Sequence, residues 1–384
     1  MMTTPCSRRK FLGAVGATAG AWLAHPTMFL ASAPPAGRVA VGMCPEYGPK
    51  VVATMATLFD QLGGLERLVR GKTVAIKLNL TGDAVTRLGH LPAGLAHWVH
   101  PDVVGATVHL LGQAGANRIR LLESAQSTAE PLEEFMLQAN WEPRDFLSAA
   151  PRVEFENTNY LGFGKKYSRL MVPGGGLMFA GYDLNHSYEG CDVFVSLAKL
   201  KEHLTAGVTL TMKNCFGITP CTIYGDGSPE DEPGRIPMGG RGPFHAGNRL
   251  PPKSAPPLVD RSGSKEGGYR VPRVVADLVA ARPVHLAIID GIHTMRGGEG
   301  PWAPGCHHVQ PGLLIAGTNC VNTDAVGMAL MGFDPMADRG TPPFETSDST
   351  LRLAEQLGVG TRDLRQIEVV GTPISKGRFN FRGA

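Results

Sequence analysis

Residues 192–220 read DVFVSLAKLKEHLTAGVTLTMKNCFGITP. The opening run Val193-Phe194-Val195 is β-branched and aromatic, as in a buried strand. Lys199, Lys201 and Lys213 follow, with His203 and Asn214 among them, and Gly207-Val208-Thr209-Leu210-Thr211 lies between. A strand ending in cations and amides places them at the mouth of a sheet, where α/β proteins keep their sites. A solvated basic loop is the competing reading. Lys213-Asn214, set in a small and apolar stretch, favours the site.

The rest of the chain supplies matching strand ends. Arg38–Met43 reads as a strand and Lys50–Leu62 as a helix with one apolar face, stopped by Gly63-Gly64. Thr73–Asn79 is a strand that ends in Lys77 and Asn79. His100-Pro101-Asp102 starts a helix, and Asn117–Ser124 is a strand that delivers Glu123. His90, His97 and His100 lack the partner at helical spacing that marks a metal site, so each reads as structural. Residues 125–160 read as helix and irregular connection, and 161–190, with Gly174-Gly175-Gly176, as a hairpin or loop between short strands.

From Cys221 to Tyr269 the chain is dense in Pro and Gly and short of apolar periodicity, a pattern of functional or mobile loops. A helix over 272–281 leads to the strand Val284–Gly291, which ends in Asp290, followed by His293 and Gly297-Gly298-Glu299-Gly300-Pro301. Acidic groups beside glycines suit a cation or a hydroxyl-bearing ligand, and Asp290 and Glu299 are the expected metal ligands. A strand at 313–316 ends at Asn319; a helix over 322–330 carries Asp324 in its first turn; a helix over 349–357 and a strand over 366–370 close the fold before a tail at 373–384.

Alternation of strands and helices predicts an α/β fold: a mostly parallel sheet with helices on both faces, plus a long Pro/Gly-rich loop insertion at 215–270, within a single domain over 38–372. With 384 residues, 43% hydrophobic and 18% charged, the chain can bury a large core. The net charge of +3, without a long Lys/Arg run, leaves no footprint for nucleic acid.

Ser7-Arg8-Arg9-Lys10-Phe11-Leu12 and the apolar stretch Gly13–Leu23 read as a twin-arginine export signal within residues 1–33. The expected location is periplasmic or extracytoplasmic, with the export machinery as a partner and membrane contact through this segment alone. Ala31-Ser32-Ala33 is the candidate cleavage site. Export of folded proteins raises the expectation of a bound divalent or transition metal or an organic cofactor. Six cysteines follow the signal without a C-x-x-C pair, so no iron–sulfur motif is present. An oxidising compartment permits one or two disulfides, with Cys215 and Cys221 the nearest pair; ordinary buried cysteines are the alternative.

Lys-Leu-Lys-x-His at 199–203, Gly-x-Thr at 207–209 and Lys-Asn-x-x-Gly at 213–217 together resemble the signature of the family known as domain of unknown function 362. The resemblance extends over most of 38–372. It supports Lys77 and Asn79 as site residues, and it adds His245, Asp290-Gly291 and Asp324 as matching positions. The family carries no assigned reaction. The Gly-x-Thr…Lys-Asn-x-x-Gly-x-x-Pro run also loosely resembles a lysine-containing run of nickel-dependent lactate racemases.

Several lysines in one crevice repel each other unless an anion or carboxylates balance them. Lys77, Asn79, Lys199, Lys201 and Asn214 are therefore the expected anion-binding residues, and Lys213, His203 and Glu123 the expected catalytic ones. The reading is a metal- or cofactor-dependent enzyme, of the oxidoreductase or isomerase class, acting on an anionic small molecule. The alternative is a periplasmic anion-binding protein without catalysis.

Overall fold

The computed structural model describes residues 37–125, 127–161 and 166–382. The arginine pair and the apolar stretch read as an export signal lie outside them. Among the described residues, eight strands form one sheet: β1 (Arg38–Met43), β2 (Thr73–Lys77), β3 (Arg118–Glu123), β4 (Val153–Asn157), β5 (Val193–Lys199), β6 (Leu286–Gly291), β7 (Leu313–Gly317) and β8 (Glu368–Gly371), in the order β8-β1-β7-β6-β5-β2-β3-β4. Every neighbouring pair is parallel except those made by β7, which runs against both β1 and β6. The fold is the expected mostly parallel α/β sheet.

Side chains alternate across each strand, and two cores result. On one face Ala40, Val74, Ile76, Leu121, Val195 and Ile288 pack with α1 (Lys50–Gln61) and α2 (Pro101–Gln113). On the other, Val41, Ala75, Phe194, Ile289 and Ile315 pack with α3 (Gly267–Ala281) and α4 (Cys320–Leu330). Helices cover both faces, so the central strands are near-continuous apolar runs. No described helix is long and apolar enough to cross a membrane.

Four expectations change. Residues 153–157 form strand β4 at the sheet edge rather than irregular connection; Glu154 and Glu156 break its apolar run by pairing with Arg118, Arg120 and Ser187. Asn319, grouped with the site by its place after a strand, lies at the opposite edge because β7 is reversed; there it caps α4 through the Asn322 N–H. Asp324 is not a first-turn charge of α4 but caps a different helix, described below. The 215–270 segment is not structureless: it holds short helical turns at Cys221–Tyr224 and Gly242–His245 and buries Tyr224 and Phe244 in a ring-to-ring contact. Of the hairpin or loop expected within 161–190, the structure has the hairpin, formed from Ser168–Met171 and Gly181–Leu184, and the six cysteines among the described residues are free.

Candidate functional site

Parallel strands bring their C-terminal ends to one edge, and β2, β3, β5 and β6 deliver Lys77, Glu123, Lys199 and Asp290 there. A cavity of about 650 Å³ opens at this edge. Of the expected residues, Lys77, Asn79, Glu123, His203, Lys213, Asn214 and Glu299 line it, whereas Lys199, Lys201 and Asp290 do not.

Lys199 and Asp290 face each other across adjacent strands and form an ion pair of 2.9 Å, both fully buried. Lys199 Nζ also donates to Tyr47 Oη and the Gly94 carbonyl. The Asp290 carboxylate accepts from Tyr47 and from the His100 and Ile292 N–H groups. Its acceptor capacity is committed to these donors, and Glu299, expected beside it as a metal ligand, instead engages the Leu204 N–H, Trp302 Nε1 and the neighbourhood of His203. No group of three or more His, Cys, Asp or Glu side chains among the described residues is arranged to hold a metal ion. Lys201, also buried, donates to the His97 and Glu299 carbonyls at 2.7 Å and ties two loops together behind the cavity.

The cavity floor is a second ion pair, Lys77 Nζ to Glu123 Oε1 at 2.5 Å. Glu123 further accepts from the Leu80 and Ser124 N–H groups, and Lys77 donates to the Leu78 carbonyl. Burial pulls the Lys77 pKa down while the Glu123 charge holds it up. Asn214 stitches β2 to β5, donating to the Lys77 and Leu197 carbonyls and Ser196 Oγ. Asn79 accepts from the Lys199 N–H and donates to Thr81. Gly217 lets the chain pass close by: a Cβ there would stand 2.9 Å from Lys77 Nζ.

Lys213 is different. It lies on the single helical turn Thr211–Asn214, whose N-terminal amides are held by Asp324: Oδ1 accepts from the Thr211 N–H at 2.9 Å and Oδ2 from the Met212 N–H at 2.8 Å. Burial raises the Asp324 pKa to about 7, against these hydrogen bonds. The Lys213 ammonium stands 4.1 Å from the centroid of the Phe216 ring and has no hydrogen-bond acceptor among the described residues. Burial lowers its pKa to about 7; Glu299 opposes the shift, and Arg241 and Lys77 add to it. The neutral amine is thus well populated at neutral pH.

The two histidines of the cavity complement each other. His203 Nδ1 accepts from the Thr205 N–H at 3.1 Å, which puts the ring proton on Nε2. Burial, then the Lys213 and Lys201 charges, push its pKa well below the usual value, so the ring is neutral. His245 Nδ1 lies 3.2 Å from the Arg241 carbonyl, an acceptor, so Nδ1 carries the proton and Nε2 keeps a lone pair. Burial and Lys213 lower its pKa to about 4.

Sequence reasoning missed Arg241, Thr209, Phe216 and Trp302 as cavity residues. Arg241 is a non-glycine residue with φ of 51°, in the left-handed region. Its guanidinium donates to the Thr219 carbonyl, Thr219 Oγ1 and Ser124 Oγ. The signal for it was the lone cation in Gly239-Gly240-Arg241-Gly242, inside a segment read only as loop. Thr209 Oγ1 is buried without a hydrogen-bond partner. Trp302, 47% exposed, lies against Gly300, where a Cβ would come within 2.2 Å of the indole.

Comparison with known proteins gives relatives but no reaction. A thylakoid-associated protein of Synechocystis sp. is 27% identical over 171 residues, which cover 44% of this chain and 46% of that protein. The crystal structure of a Thermotoga maritima protein is similar at 16% identity and a TM-score of 0.30, over 46% of this chain and 39% of that one. Lactate racemase apoprotein from Thermoanaerobacterium thermosaccharolyticum is similar at 12% identity and a TM-score of 0.33, over 72% of this chain and 54% of that one. The chain thus spans roughly half, or less, of the length of each of these relatives. The family described as domain of unknown function (DUF362) matches residues 74–329, from β2 into α4 and across the whole cavity edge, and the chain belongs to that family.

Proposed function

We propose that this chain is an enzyme that acts on an anionic small molecule held in the sheet-edge cavity, with Lys213 moving a proton to or from it. The observation that carries this reading is the Lys213 amine, in the cavity, without a hydrogen-bond acceptor and with its pKa lowered by burial to about 7. Lys77 is balanced by Glu123, so Lys213 and Arg241 face Glu299 with a positive excess that suits an anion. A non-catalytic anion receptor needs donors only. The lone pair left on His245 and the low basicity of Lys213 favour catalysis. The metal expected on Asp290 and Glu299 does not fit those donors, and no step is assigned to it.

Export by the twin-arginine route is part of the same proposal and rests on Ser7–Leu12. Replacing Arg8 and Arg9 by lysine should abolish appearance of the protein outside the cytoplasm; unchanged export would remove this part.

Trace acylation with acetic anhydride across pH, mapped by mass spectrometry, tests the active-site reading. Lys213 should gain reactivity with a midpoint near pH 7, and calorimetric binding of small carboxylates at pH 6 should weaken about tenfold in Lys213→Met. Titration of Lys213 near the ordinary 10.5, with carboxylate binding unaltered in Lys213→Met, would overturn the reading.

A further inference from the structure

Proton transfer needs only a base, yet the surroundings of Lys213 are more specific than that. We propose that Lys213 is a covalent residue: its amine condenses with the carbonyl carbon of a small oxo acid whose carboxylate is met by Arg241. This rests on the active-site reading above and narrows it to carbonyl chemistry.

Four observations point the same way. Lys199 and Lys77 have carboxylate partners, and Lys201 has two carbonyls, so each is committed to the fold. Lys213 has no hydrogen-bonded partner, only the π face of the Phe216 ring at 4.1 Å and the more distant charge of Glu299. Its lone pair is therefore free whenever the proton is off. Arg241 is held rigidly through Nε and Nη2, and Nη1 has no hydrogen bond among the described residues, which leaves one edge of the guanidinium for a carboxylate. Thr209 Oγ1, 3% exposed and without a partner, lines the same cavity and can donate to an oxygen of the ligand.

The groups around Lys213 come from every side: Lys77 from β2, His203 from the hairpin after β5 with Lys201 of that hairpin behind the cavity, Arg241 and His245 from the 215–270 segment, and Glu299 from the loop after β6. The cations among them favour the neutral amine, and a carboxylate arriving with the substrate offsets their repulsion.

The step balances without a further reactant. The Nζ lone pair forms a bond to the carbonyl carbon as the π pair moves to oxygen; nitrogen loses one proton and oxygen gains one, giving a carbinolamine. The carbon–oxygen bond then breaks, oxygen leaves as water with a second proton, and an iminium remains. One oxo acid, one neutral amine and one proton become one iminium and one water. The His245 lone pair can take the proton from nitrogen and return it to oxygen, the second proton comes from solvent water, and the His203 Nε2–H is placed to hydrogen-bond to the departing oxygen. The iminium draws electrons from the neighbouring carbon and so makes a proton or carboxyl group on it labile.

The experiment is reductive trapping of the full chain with pyruvate and, separately, glyoxylate as probes. Each is incubated with sodium cyanoborohydride from pH 5 to 9, and adducts are mapped by peptide mass spectrometry. The expected result is a secondary-amine adduct on Lys213 at least tenfold above the mean of the exposed lysines, lost in Lys213→Arg and reduced severalfold in Arg241→Gln. Adducts spread over exposed lysines with none on Lys213 overturn the proposal. If trace acylation still finds Lys213 titrating near pH 7 in that case, the proton-transfer reading stands and the covalent one falls. If Lys213 titrates as an ordinary lysine and takes no adduct, both fall.

Discussion

Two lysines from one 15-residue stretch, Lys199 and Lys213, meet opposite fates. Lys199 ends β5 and lies between Asp290, Tyr47 and the Gly94 carbonyl, with no solvent exposure and no free donor direction to spare. Lys213, on its single helical turn, meets an aromatic ring and a cavity. Lys199 is fully buried and Lys213 partly so, and loss of hydration lowers both pKa values. The difference is compensation. A buried charge with a full set of partners is part of the fold, and a part-buried charge left without them at a cavity is available to a ligand. The comparison also separates the two carboxylates assigned to a metal: Asp290 belongs to the Lys199 side and Glu299 to the cavity.

The largest expected effect is on the paired side. Lys199→Met leaves Asp290 buried with hydroxyl and amide donors but no countercharge, and should lower the unfolding free energy by about 3–5 kcal/mol. Urea denaturation measures it. A loss below ~1 kcal/mol would mean that the pair is not a structural unit, and the comparison would fail at its first term.

Lys213→Met should act in the opposite sense. The folded pKa is depressed from 10.5 to about 7, so between those values the unfolded chain holds a proton that the folded chain does not. Stability therefore rises with pH across that window, and below pH 7 the cost of the buried ammonium is fully present. Removing the amine should stabilise the protein at pH 6 by about 1–2 kcal/mol, a figure reduced for the water that reaches the cavity, and the gain should shrink towards pH 10. Unfolding curves at several pH values decide it: a pH-independent difference between the two proteins contradicts the unpaired state of Lys213.

Much of this contrast was legible beforehand because strand ends are local features. The runs before Lys77, Lys199 and Asp290 are mostly apolar and short, that before Glu123 ends in Leu121-Leu122 after two arginines, and their ends meet once the strands are parallel. What the sequence does not display is which cation finds which anion. Lys199 meets Asp290 across 91 residues, and Lys77 meets Glu123 by sheet order alone. Asp324 holds the helix of Lys213 from 113 residues away, a role invisible in its own helix. The reversed direction of β7 removes Asn319 from the site, and nothing local in Leu313–Gly317 reports direction. Arg241 was hidden by its setting, since a loop without periodicity offers no face on which to place a side chain.

The smallest expected effect concerns Thr209, which sits opposite Lys201 in the short hairpin and shares the cavity with Lys213. A buried hydroxyl without a partner is destabilising, and replacing it with a methyl group of similar shape relieves that cost. Thr209→Val should therefore change stability by less than ~1 kcal/mol, on the stabilising side, while small-carboxylate affinity falls severalfold. Thermal unfolding with and without ligand separates the two effects. If Thr209→Val instead destabilised the protein by ~2 kcal/mol and left affinity untouched, the hydroxyl would belong with Lys199 among the compensated groups. The cavity would then contain one free polar group fewer, and recognition of the anion would rest on Arg241 and Lys213.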